Sequence, residues 1–183
     1  MLITMYRSFS HTLCNSIVHS KNGNMKGLEN QTYVILLFIA NIIAILQLVA
    51  ASKWPRIARI SFFLLFTWAS VTNWRTSVNK PQAYLEYADL TWSDTYTNFI
   101  NGWFSDHIAE TVGCIAICQL LIGLSMLLRG TLYKIGCTGA IVFLVAIIPF
   151  GVGSGFPSTA VMAIAVYILL KKDNRHFIWE KRY

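Results

Sequence analysis

At 183 residues the chain has the length of one domain, and 55% hydrophobic against 13% charged residues make it more apolar than an ordinary soluble domain. The apolar residues are gathered into long blocks, which excludes a closed barrel of short alternating strands. They predict an all-α, integral membrane helical bundle. The formal charge of +7 does not signal nucleic acid, because Lys and Arg sit beside apolar blocks and form no basic stripe with interleaved aromatics.

Residues 1–32 are polar, rich in Ser, Asn and His, and lack an early apolar run, so they read as a loosely ordered tail rather than a conventional signal peptide. A start at Met25 would make Val49-Ala50-Ala51 a conceivable cleavage site. Residues 33–51 carry no charge and suffice, at 1.5 Å per residue, to cross a hydrocarbon core of roughly 30 Å. This is the first predicted transmembrane helix. Asn41 and Gln47 within it are expected to hydrogen-bond a neighbouring helix. Ser52 to Arg59 then reads as a basic, Trp-bearing loop at the cytoplasmic face.

Further blocks follow at Ile60–Trp74, Ile108–Leu128, Leu132–Phe150 and Thr159–Leu170, giving five predicted spans. The second is short, with Trp68 and Trp74 as interfacial anchors, and the fifth reaches spanning length only with Gly155 to Ser158 included. Segments after blocks one, three and five carry three, two and five Lys or Arg residues, whereas 75–107 is mostly acidic and 151–158 is uncharged. That bias predicts a cytoplasmic C-terminus, with 173–183 as a basic tail at the anionic leaflet.

Between the second and third blocks, 82–105 reads as an amphipathic interfacial segment. Tyr96, Phe99, Ile100, Trp103 and Phe104 recur at helical spacing behind Ser93 as N-cap and Asp94 as a first-turn acid. It is expected to lie as a lid over the bundle. Gly151 to Gly155 lacks the strand-turn-helix setting of a phosphate loop and reads as a tight hairpin between helices. Gly136 and Gly139 predict close helix contact.

Three runs carry a family resemblance: Ala83-Tyr84-Leu85-Glu86-Tyr87-Ala88 with the aromatic segment behind it; Glu110 through Gln119-Leu120-Leu121-Ile122-Gly123-Leu124 to Arg129-Gly130; and Phe143 through Pro149 and Gly151 to Pro157. In these, residues 57–172 resemble the DoxX/DoxD-like family of small four-helix membrane proteins, here with one additional N-terminal helix. The resemblance implies a bacterial or archaeal inner-membrane protein, since the DoxD relatives form a membrane subunit of a thiosulfate:quinone oxidoreductase. The expected role is an accessory or anchoring subunit for a redox protein partner, with quinone as the candidate cofactor. Alternatives are a self-contained membrane quinone oxidoreductase and a small transporter, the last disfavoured by few intramembrane charges and no clear inverted repeat.

Glu110, in the first turn of the third block, is the leading candidate for chemistry. It could relay a proton, although a helix-starting acid is more often structural. Cys114 and Cys118 continue along the same helical face, but i and i+4 thiols are poorly placed for a disulfide, and small-residue packing is the expected role. Gln119, Trp103 and Tyr96 are the candidates for touching a cofactor. Cysteines at 14, 114, 118 and 137 have no CxxC spacing, and histidines at 11, 19, 107 and 176 are scattered, so no metal site is expected. Asn30-Gln31-Thr32 fits a glycosylation sequon.

Overall fold

The computed structural model describes residues 31–172. The two tails, with Cys14, His11, His19, His176, the sequon's Asn30 and the basic segment 173–183, lie outside the described residues. Every regular element is helical among the described residues. Five longer helices dominate: α1 (Gln31–Lys53), α2 (Pro55–Asn79), α5 (Ile108–Ser125), α6 (Gly130–Ala146) and α7 (Ser158–Lys171). Two short ones, α3 (Tyr87–Leu90) and α4 (Asp94–Phe99), lie in the connection between α2 and α5.

The long helices close into a ring. α1 contacts α2, α2 contacts α5, α5 contacts α6, α6 contacts α7, and α7 returns to α1; the α2–α5 contact is the most extensive. Where lipid surrounds helices, its tails are as apolar as Leu, and close packing and interhelical hydrogen bonds hold neighbours together more than hydrophobic burial does. Gly136 shows the closeness: a Cβ added there would lie 1.6 Å from Ser125 Oγ on α5. Gly123 is pressed against α2, where a Cβ would come within 3.1 Å of Thr67 Oγ1 and 3.3 Å of the Phe63 carbonyl. Gly139 makes only ordinary contact with Ile122.

α1 and α5 are each long and apolar enough to cross a membrane. A third span results if α6 and the 3-10 segment Ile148–Ser154, bent from it by 81°, count together. α2 has 25 residues, but Thr, Ser, Asn and Arg side chains dilute its apolarity, and α7 has only 14. Length and apolarity alone therefore give two or three spans where the block pattern predicted five.

The loop expected at Ser52–Arg59 shrinks to Trp54, because Pro55, at N1, starts α2 with a fixed φ and no amide to satisfy. Arg59 thus belongs to α2 and is buried, 6% exposed. Its Nε donates to the Met126 carbonyl at 2.8 Å, its guanidinium also donates to the Leu128 carbonyl, and it lies 4.4 Å from the centre of the Tyr133 ring. The cation so satisfies carbonyls left open at the end of α5. Gln47 bonds Ser61 of α2 at 2.9 Å as expected, whereas Asn41 bonds Leu37 on its own helix.

The amphipathic segment is folded in pieces. A 3-10 turn at Pro81–Tyr84 leads into α3, then α4 runs into a π-helical stretch, Ile100–Phe104, with Gly102 out of helical geometry. Ser93 occupies the N-cap position of α4 without a side-chain capping bond; its amide instead receives Thr91 Oγ1 as acceptor. The lid is sewn to the α6–α7 connection: Thr91 Oγ1 donates to the Pro149 carbonyl at 2.6 Å, and the Trp92 amide to the same oxygen at 3.3 Å. Gly151, at φ 59°, and Gly153 make this fit possible, since a Cβ would come within 3.2 Å of the Leu90 carbonyl or 3.0 Å of the Tyr87 ring.

Candidate functional site: a cavity beneath the aromatic lid

The lid does not pack flush on the helices. A cavity of about 290 Å³ remains between them, roofed by Phe99, Ile100 and Phe104 and walled by Thr111, Val112 and Ile115 of α5. Phe143 and Ile147 close the far side. Its volume is at the lower end of small-molecule sites, and the predominance of aromatic and aliphatic lining is what such sites show. The roof coincides with the π-helical stretch, a backbone departure that recurs at functional sites.

The polar edge comes from Asn73 and Tyr84. Asn73 lies on the buried face of α2 one turn from Ser70 and Ser77. Its Nδ2 donates to Gln119 Oε1 of α5 at 2.8 Å, and its Oδ1 accepts from the Tyr84 hydroxyl at 3.0 Å. Ser70 Oγ adds a bond to the Ala116 carbonyl at 2.6 Å. These three cross-links hold α2, α5 and the start of the lid in fixed register.

Burial pushes the Tyr84 phenol up to about 12, a hydrogen bond with Thr76 opposing the shift. The Tyr87 phenol is raised further, by burial first and then by Tyr84, Tyr33 and Glu86. Both are neutral near pH 7, and no charged side chain lines the cavity. Tyr87 stacks on Tyr84 at 6.2 Å between ring centres and meets Phe150 edge-on at 5.4 Å. Such a chamber accommodates a neutral, flat, mostly apolar ligand with one polar edge; it offers no acid or base for proton transfer.

The residues singled out from sequence scatter around this site. Glu110 is in the first turn of α5 as expected, but is exposed and outside the cavity lining. Cys114 and Cys118 are exposed too, so the expected role in helix packing is corrected: they sit on the outward side of α5. Cys137 is the buried thiol, beside Tyr133. Tyr96 donates to the Ala146 carbonyl at 2.9 Å, closing the end of α6 rather than facing the cavity. Trp103 is 57% exposed and stacks on His107, ring centres 4.5 Å apart. Gln119 alone of the cofactor candidates reaches the site, through Asn73.

Neither Asn73 nor Tyr84 is among the site residues expected from the sequence, although Tyr84 belongs to one of the three runs that carry the resemblance. A signal was there: Ser70 and Asn73, at the end of the block Ile60–Trp74, and Ser77 just beyond it repeat at helical spacing, which marks a polar stripe that faces protein. Among the described residues no group of His, Cys, Asp and Glu is arranged to hold a metal ion. No protein-family model, curated protein or solved structure matches this chain.

Proposed function

We propose that this protein is a multi-pass inner-membrane subunit of the DoxX/DoxD-like type that holds a quinone ring beneath its aromatic lid and anchors a redox partner. The carrying observation is the uncharged, aromatic-lined cavity with Asn73 and Tyr84 at its edge. A quinone presents a flat apolar face and carbonyl acceptors, and the second N–H of the Asn73 amide can donate to one of them.

In this reading all five long helices cross the bilayer. The closed ring supports it, since α2 and α7 each complete the circuit between apolar neighbours. Lys53, Arg56, Arg129, Lys134, Lys171 and Lys172 gather at one end and Glu86, Asp89, Asp94 and Asp106 at the other, which supports a cytoplasmic C-terminus. An anchoring role is favoured over self-contained catalysis because Glu110, Cys114 and Cys118 lie outside the cavity lining. Transport is disfavoured by Phe62 and Phe66, at most 2% exposed, between the polar network and the Arg59 end.

The test is purification in mild detergent with quantification of co-extracted quinone and mass spectrometry of retained proteins. Ile115→Phe, which fills the cavity, is expected to lower bound quinone at least about tenfold, the equivalent of 1.4 kcal/mol. Wild-type protein that retains no quinone, and takes up none when it is added, would remove the ring-binding reading. Absence of any retained oxidoreductase would remove the anchoring one.

A further inference from the structure

The cavity beneath the lid is closed on most sides and open on one. Asn73 of α2, Tyr84 and Tyr87 beside it, and Ile100 and Phe104 in its roof are each at most 9% exposed. Thr111 and Ile115 of α5 and Phe143 and Ile147 of α6 are only half-buried, and Phe99 in the roof is 45% exposed. The mouth therefore lies in the seam between α5 and α6, under Phe99.

Two glycines mark where these helices part. A Cβ on Gly136 would lie 1.6 Å from Ser125 Oγ, whereas one on Gly139, a turn nearer the lid, would stand 3.5 Å from Ile122. The same antiparallel register, carried one turn further, brings Phe143 level with Cys118, which shares the face of α5 that holds Ile122 and Ser125. There α6 no longer covers α5: Cys118 is exposed, and Phe143 lines the cavity. Other approaches are fastened. The lid is bonded to both rims of the seam, the Tyr96 hydroxyl donating to the Ala146 carbonyl of α6 and His107 Nδ1 to the Trp103 carbonyl where the lid joins α5, each at 2.9 Å. On the α2 side, Ser70 and Asn73 bind Ala116 and Gln119 of α5.

We infer that the ligand of this cavity is a lipid-borne quinone whose long isoprenoid tail leaves through the seam between α5 and α6, flanked by Cys118 and Phe143 and passing under Phe99. The inference rests on the quinone reading of the cavity and adds to it the ligand's class and its route. A volume of about 290 Å³, at the lower end of small-molecule sites, houses a ring and not a long chain as well, so the tail needs an exit. With α5 and α6 in a bilayer, the seam opens onto acyl chains. Lipid tails are as apolar as the seam's Ile115 and Phe143, so the isoprenoid chain lies there at no cost in hydration while the ring reaches Asn73.

The test titrates the full chain in mild detergent with two fully substituted benzoquinones, one decyl-tailed and the other tetramethylbenzoquinone, which has no tail. Calorimetry reads both affinities. Cys118→Trp, which sets an indole in the seam outside the cavity lining, is expected to lower the affinity for the tailed quinone relative to the tail-less one by at least about tenfold, the size of an overpacking strain. Ile117→Trp puts the same bulk at an exposed position of α5 turned away from α6, and is expected to leave that ratio unchanged. Labelling of the unsubstituted chain gives a second reading that needs no bulky variant. The tailed quinone is expected to slow modification of Cys118 by an apolar maleimide, and tetramethylbenzoquinone is not. A ratio unmoved by Cys118→Trp, a ratio moved equally by Ile117→Trp, or equal labelling of Cys118 with either quinone bound would each overturn the route while the ring reading stands. Wild-type protein that binds neither quinone overturns the ring reading and the route with it.

Discussion

Asn73 of α2 and Gln119 of α5 are joined amide to amide across 2.8 Å in the interior of the helix ring, both less than a tenth exposed. The bond fixes the register of the most extensive helix contact in the protein and sits at the edge of the cavity beneath the lid. Its energetic weight is measurable. In membranes such bonds contribute about 0.6 kcal/mol on average and up to about 1.7. A double-mutant cycle of Asn73→Leu and Gln119→Leu, read by unfolding in mixed micelles, is expected to give a coupling in that range. A coupling near zero would mean that the pair does not hold the register.

Arg59 is expected to be less replaceable. Lys cannot reproduce donation to both the Met126 and Leu128 carbonyls together with contact to the Tyr133 ring. Arg59→Lys should destabilise by about 1–2 kcal/mol and Arg59→Met by about 2–3, reflecting charge-assisted bonds lost and carbonyls left open. Unfolding midpoints check the order; equal stability of all three proteins would contradict it.

Gly136→Ala places a methyl group 1.6 Å from Ser125 Oγ and 2.4 Å from its Cβ, so the α5–α6 contact must open. The expected cost is about 1–3 kcal/mol. Ser125→Gly in the same chain removes both offending atoms and should recover most of the loss, a rescue that general helix propensity cannot explain.

The alkaline limb of stability should report Tyr84. Its folded-state value lies above the ordinary 10, at about 12, so folding favours the neutral phenol. The corresponding stabilisation is complete below pH 10 and is lost as the pH rises through about 12. Ultraviolet absorbance of phenolate, followed against pH, should show this group titrating late, and Tyr84→Phe should lower the late amplitude by one phenol while leaving that of Tyr87, which is raised further. Stability falling already between pH 8 and 9 in the wild type, and not in Tyr84→Phe, would reverse the assignment.

Thiol labelling separates the cysteines. In detergent, a small apolar maleimide should modify Cys114 and Cys118 in the folded protein, slowly because a thiol facing acyl chains reacts poorly, and reach Cys137 only after denaturation. Replacing Cys114 and Cys118 by Ser should change stability by no more than about 0.5 kcal/mol each, as for positions without inward contacts. Loss of a bound quinone in those variants would restore them as candidates for chemistry.

The all-helical character, the membrane-length apolarity of α1 and α5, the charge asymmetry along the chain and the glycine turn before α7 are legible in the sequence, because they follow from local composition and the 3.6-residue period. It also held the lid's aromatic residues. It did not determine that Trp54 alone separates α1 from α2, that Arg59 turns inward, or that Glu110 and the two nearby cysteines turn outward. The first follows from Pro55 at N1 of α2, the second from the open carbonyls of Met126 and Leu128, and the last from how α5 is rotated in the ring, which is set by Gly123 against Phe63 and by the bond from Asn73 to Gln119. Hydrophobic periodicity gives little help there, since a helix apolar on every side has no face that its own sequence marks as inner. Only the packed ring decides which polar atoms meet partners, as Asn73 and Gln119 do, and which, like Thr159 Oγ1, are buried without one among the described residues.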